Sequence, residues 1–161
     1  MFVNAVEIAI ELSSGTRGEI AAGRVALGKI DGLVSAKESF VVETTLLGTW
    51  LAKRVSLLQQ AGYEIRLFFV WIPSADVAIE RVAIRVRFGG HAIPEATVRH
   101  RFVRGLNNLV RVFMPIVDSW CLYSNQNDIG PVLIASGGRN VTTIVEDRDN
   151  YEQIIGSAPN A

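Results

Sequence analysis

Arginine is the residue best placed to do chemistry in this chain, and it is unevenly spread. Between Arg81 and Arg111 stand Arg85, Arg87, Arg99, Arg101 and Arg104, with His91 and His100, and Glu95 is the only acid in that stretch. The guanidinium group is a planar fork that meets phosphate oxygens at two points. Arg81 and Arg85 are one helical turn apart and share a face, as do Arg101 and Arg104 further on. Gly89-Gly90-His91-Ala92-Ile93-Pro94 makes a tight connector between the two helices. Such a hairpin can aim several cations at one anion. The alternative is two solvated helix faces whose arginine stems cover apolar surface.

A second set of polar groups is Glu43-Thr44-Thr45, which follows an apolar run. In open α/β sheets, ligands sit beyond the carboxyl ends of strands. A carboxylate and two hydroxyls there suit a hydroxylated substrate, although either threonine also suits a helix cap. Gly23-Arg24-Val25-Ala26-Leu27-Gly28-Lys29 matches the glycine and lysine spacing of a phosphate-binding P-loop. That loop needs Ser or Thr next, where Ile30 stands, and a strand before it. The segment falls on a helical stripe instead, so the match reads as accidental. His91 and His100 have no carboxylate or cysteine at metal spacing, so no metal site is expected. Cys121 sits in an apolar run with no adjacent base and reads as an inert core thiol. Trp50, Trp71 and Trp120 read as packing residues.

These groups must be held by elements that the apolar periodicity outlines. Phe2 to Asn4 ends a strand, and Ala5 to Leu12 has helical spacing. Ile20, Leu27, Ile30 and Val34 share one stripe of a helix from Thr16 to Lys37. Phe40 to Glu43 reads as a short buried strand, Leu47 to Ala61 as a helix with Gly62 as C-cap, and Ile65 to Ile72 as the clearest buried strand. Ser74 caps a helix to about Phe88, ended by Gly89-Gly90. Pro94 opens the next, with Val98, Phe102, Leu106, Leu109 and Phe113 on its stripe. Short strands follow at Trp120 to Tyr123, Val132 to Ala135 and Val141 to Val145, with Gly137-Gly138 as a turn. A last helix runs from Asp147 to Ile155. Alternation of this kind predicts an α/β fold, a mainly parallel sheet with helices on both faces. It forms one domain over residues 1–155, with a flexible tail at 156–161.

Composition narrows the function classes. Formal net charge is zero, so no global field calls for nucleic acid or a membrane surface. The arginine stretch also lacks the interleaved exposed aromatics of a single-strand binder. No apolar run approaches the roughly 20 residues of a membrane-spanning helix. With a single cysteine and no leader pattern at the start, the cytoplasm is the expected compartment.

Taken in order, several stretches resemble the zeta-toxin-like family of small P-loop kinases. They are Phe2-Val3-Asn4-Ala5, Ser39-Phe40-Val41-Val42-Glu43-Thr44-Thr45-Leu46 and Leu67-Phe68-Phe69-Val70-Trp71-Ile72. Arg81-Val82-Ala83-Ile84-Arg85-Val86 follows, then Gly89-Gly90-His91 and Ile93-Pro94. Arg101, Arg104, Asn108-Leu109, Val117-Asp118 with Trp120, and Tyr123 with Asn125 complete the set. The resemblance covers nearly the whole chain. It implies ATP- and Mg2+-dependent phosphorylation of a small hydroxylated substrate, which in zeta toxins proper is a UDP-activated amino sugar. It also implies that Phe2-Val3-Asn4 is the family's second strand, so the first strand, P-loop and first helix are expected to be missing. Glu43 and Thr44 match the substrate-binding motif. Arg81, Arg85 and His91 fall in the lid over the nucleotide phosphates. Asn125 lies in the loop near the nucleotide base, where Ser124 replaces a residue that is often acidic. Val6 stands where the family tends to have an aspartate general base, so no catalytic residue is intact.

Phosphoryl transfer needs backbone N–H groups, a lysine and magnesium acting together on the phosphates. A lid facing no loop leaves the nucleotide in water, where each charge contact is weak. The chain is therefore expected to be inactive alone. The alternative is a non-catalytic binding module, with self-association through strands left exposed. The expected outcome of a kinase assay with magnesium, ATP and UDP-sugars is no phosphoryl transfer, and clear turnover by the purified chain would refute it.

Overall fold

Strands and helices alternate much as the periodicity predicts: β1 (Phe2–Asn4), α1 (Thr16–Ser35), β2 (Val41–Glu43), α2 (Trp50–Gln60), β3 (Arg66–Trp71), α3 (Ala75–Arg87), α4 (Glu95–Asn108), β4 (Ser119–Ser124), β5 (Val132–Gly138), β6 (Val141–Val145) and α5 (Arg148–Gly156). The computed structural model describes residues 1–4, 16–48, 50–126 and 130–157. The helix expected over Ala5 to Leu12, Val6 within it, and most of the tail lie outside the described residues. Two compact units divide the chain, Met1–Thr45 and Leu46–Ala161.

In the first unit β1 and β2 pair in parallel, with Phe2 opposite Val41 and Asn4 opposite Glu43. The Met1 amino group donates to the Ser39 carbonyl at 3.1 Å, and Val41 N–H donates to the Met1 carbonyl at 2.8 Å. Val3, Ala26 and Leu33 form a small core, with Phe40 and Val42 packed against it.

The second unit holds a four-stranded sheet in the order β3-β4-β5-β6. Two helices separate β3 from β4, and that pair is parallel, from Arg66 opposite Ser119 to Trp71 opposite Ser124. β5 and β6 continue antiparallel, so the sheet is mixed. The turn expected at Gly137-Gly138 lies instead at Arg139-Asn140, where Asn140 takes φ 58°. The two glycines close β5 because Gly137 has no room for a Cβ. The Val141 carbonyl oxygen and the Trp120 ring fill that place.

One face of the sheet carries the core. Trp71, Trp120, Leu122 and Ala135 pack there with Leu106, Leu109 and Phe113 from the α4 stripe and Ile154 from α5. β3 was expected to be buried throughout, and it is not. Leu67, Phe69 and Trp71 turn inward, while Phe68 and Val70 on the other face are 64% and 51% exposed. α4 runs on into a π turn, Leu109–Phe113, closed by Met114 N–H donating to the Leu109 carbonyl at 2.9 Å. That wider turn keeps Met114 and Val117 buried in the same core as Leu109 and Phe113.

Asp118 ties these parts together. Its Oδ2 accepts from Ile65 N–H at 2.8 Å, and its Oδ1 accepts from the Gln59 amide at 3.0 Å and the Arg139 guanidinium at 3.1 Å. The Ile65 N–H, then the Gln59 amide, hold the Asp118 carboxyl below the usual carboxylate range. A carboxyl depressed in this way stabilises the fold above its unfolded pKa of about 3.9, and the contribution is lost as pH falls through the folded value. Asp118→Ala is therefore expected to cost about 1–3 kcal/mol near neutral pH. Urea unfolding of both proteins across the acid range should show the gap closing as the pH drops below the ordinary aspartate pKa. A pH-independent gap would mean that the charge plays no part.

Candidate functional site

α3 starts where β3 ends. Ser74 caps it, its hydroxyl accepting from Val77 N–H at 3.2 Å, and the preceding Pro73 stops the strand. The helix ends as the glycines predict: Gly89 takes φ 87°, and Gly90 N–H donates to the Arg85 carbonyl at 3.0 Å. A Cβ at Gly90 would collide with the Arg85 side chain and carbonyl, so this turn depends on glycine. α4 packs alongside, and Arg99 reaches Asp76 at 2.7 Å. Both partners are largely exposed, so that ion pair contributes little.

The structure brings two of the expected site residues together. The Arg81 guanidinium donates to the backbone carbonyl of Asn125, and Asn125 N–H donates to the Trp71 carbonyl at 3.3 Å. Arg81 is thereby held at the carboxyl ends of the parallel strands β3 and β4. Arg85, one turn along α3, is exposed, as are Arg87, His91 in the connector, and Arg104 on α4. Arg101, expected to share the Arg104 face, is half-buried. Glu43 ends β2 and is exposed, and Thr44 follows half-buried. They belong to the first unit, whereas the arginines and Asn125 belong to the second. Val6 lies outside the described residues.

The Arg81–Asn125 link spans 44 residues and has no local signature in the sequence. Two other positioning contacts are equally silent there. The buried Asn108 amide donates to the Leu46 carbonyl at 2.6 Å, and the Gln153 amide donates to the Pro73 carbonyl at 3.2 Å. Cys121, expected in the core, is half-buried on β4 opposite Phe68. A shallow cavity beside Trp120, lined by Met114, Pro115 and Val141 among others, has no charged lining residue.

The near-P-loop does not offer a phosphate cradle. Gly23 to Lys29 lies inside α1, where backbone N–H groups serve the helix and cannot cradle phosphates. No cluster of three or more His, Cys, Asp or Glu among the described residues could hold a metal ion. What remains is a cationic hairpin able to hold an anion by charge and guanidinium hydrogen bonds. Among the described residues no helix is long and apolar enough to cross a membrane.

Over 84 residues the chain is 30% identical to an uncharacterized protein of Haemophilus influenzae, covering 52% of this chain and 60% of that protein. The match thus spans less than two-thirds of the relative's length. No family model matches the chain, and no solved structure matches it.

The near-P-loop has a direct test. A Cβ at Gly28 meets nothing within 4 Å. Gly28→Ala is expected to stabilise α1 by about 0.5–1 kcal/mol, because alanine is the better helix former. It should leave ATP binding unchanged. Thermal unfolding and an ATP titration check both, and lost binding would restore the loop reading.

Proposed function

We propose that this chain binds a phosphate-rich anion through the α3–α4 hairpin, as the lid side of an ATP-dependent kinase fold of the zeta-toxin-like kind. The substrate of such a kinase is a small hydroxylated molecule, with a UDP-amino sugar the leading candidate. Glu43 and Thr44 would bind it. The observation that carries the reading is the placement of Arg81 at the carboxyl ends of β3 and β4, with exposed Arg85 one turn further along α3. Ligands of open α/β sheets collect at such strand ends. Guanidinium groups there bind phosphate oxygens in two-point geometry without a metal.

The binding this predicts is weak, because the guanidinium groups are solvated. Titration of the full chain with ATP in the absence of magnesium, at two ionic strengths, is the test. Binding should weaken with added salt through screening, and Arg85→Ala should reduce it several-fold. ATP binding indifferent to both salt and the substitution would place the anion elsewhere on the molecule.

A further inference from the structure

β3 is an edge strand of its sheet, and its backbone shows which groups are left open. The Ile65 carbonyl accepts from Ser119 N–H at 3.2 Å, and the Trp71 carbonyl accepts from Asn125 N–H at 3.3 Å, so the odd-numbered positions face β4. Arg66, Phe68 and Val70 therefore turn their N–H and C=O groups to the other edge. Among the described residues nothing pairs with them. Edge strands are normally blunted by an inward charge, a proline or a bulge. Arg66 at the start of β3 is the one charge among the outward positions; Leu67 to Trp71 contains neither charge nor proline, and the pairing with β4 is unbroken. The side chains of the same outward positions add exposed Phe68 and Val70.

We propose that this edge pairs with the β3 edge of a second copy of the chain, antiparallel, with Phe68 opposite Phe68. Only an extended backbone can satisfy a row of alternating donors and acceptors, so the occupant is a strand. The edge is also self-complementary. Its three outward residues are symmetric about Phe68, so Arg66 falls opposite Val70 of the other copy, and each facing pair exchanges two N–H···O bonds. Charges are compatible in this register: the arginines stand away from each other, each beside its own Glu64 at 3.0 Å. The contact is isologous and closes at two copies. A single edge strand is far smaller than the roughly 20–30 residues a side of a stable interface. The dimer is accordingly weak and depends on concentration.

Sedimentation of the full chain, from low micromolar concentration upward, should show a reversible monomer–dimer equilibrium. Val70→Lys places a second cation opposite Arg66 twice in the dimer, whereas Val70→Glu places an anion there. In low salt, Val70→Lys should raise the dissociation constant about tenfold, and Val70→Glu should leave it unchanged or lower it. The two substitutions are equally polar on the free edge, so their difference reads the register. In a Cys121→Ser background, which removes the thiol opposite residue 68, Phe68→Cys should form an interchain disulfide on mild oxidation. Facing residues of such a pair lie about 5.5 Å apart, within disulfide reach. A monomer at every concentration, or a dimer on which the two charges act alike, would overturn the proposal. If either Val70 variant fails to fold, the cysteine variant decides, and absence of crosslinking overturns the proposal on its own.

Discussion

The carboxylate of Asp118 sets the register on which the second unit is built. It receives the N–H of Ile65 just before β3 and stands one residue before β4, so it fixes how these strands enter the sheet. A slip of one residue in β3 would exchange Leu67 and Phe69 for Phe68 and Val70 on the core face. The Trp71, Trp120 and Leu122 layer, the seat of α4 upon it, and the position of Asn125 at the end of β4 all follow from that alignment. The same carboxylate takes in Gln59 from α2 and Arg139 from the β5–β6 turn, so elements distant in sequence share one anchor.

Local chemistry was legible in the chain, and long-range pairing was not. Ser74 and Gly89-Gly90 mark both ends of α3, Gly62 ends α2 with φ 90°, and the stripe from Val98 to Phe113 names the buried face of α4. These signals act within a few residues. The apolar run of β3 misled because composition reports propensity and not which face is covered. A strand buried on one face and one buried on both differ only in what packs there. The start of α2 fell at Trp50 instead of Leu47, after Leu46 adopts φ 55° with its carbonyl held by Asn108. Of the site, the arginine pair on α3 could be read from spacing. Its link to Asn125 could not, since a side chain meeting a backbone carbonyl across the sheet leaves no pattern.

α3 contributes no buried residue to the core, although its sequence looks amphipathic. It is held by its cap, by α4 and by the Arg81 contact, each with solvent close by. This is the usual condition of an element that opens before the rest of a fold. An anion bound between Arg81 and Arg85 would add a contact where the packing adds little. The hairpin thus joins a base tied through Arg81 to the ends of β3 and β4 with a solvent-exposed tip around Phe88 and His91.

Gly137 has a consequence for how this sequence can drift. A side chain there meets both the indole of Trp120 and a backbone carbonyl of the neighbouring strand. Shrinking the tryptophan would relieve only the first of these. No single compensating change therefore opens the position, and descendants of this gene should keep glycine there for as long as they keep the tight β5–β6 turn. Gly28 and Gly32, with open space around them, carry no such restriction. The same residue type is thus required at one place by crowding and free of that constraint at the others.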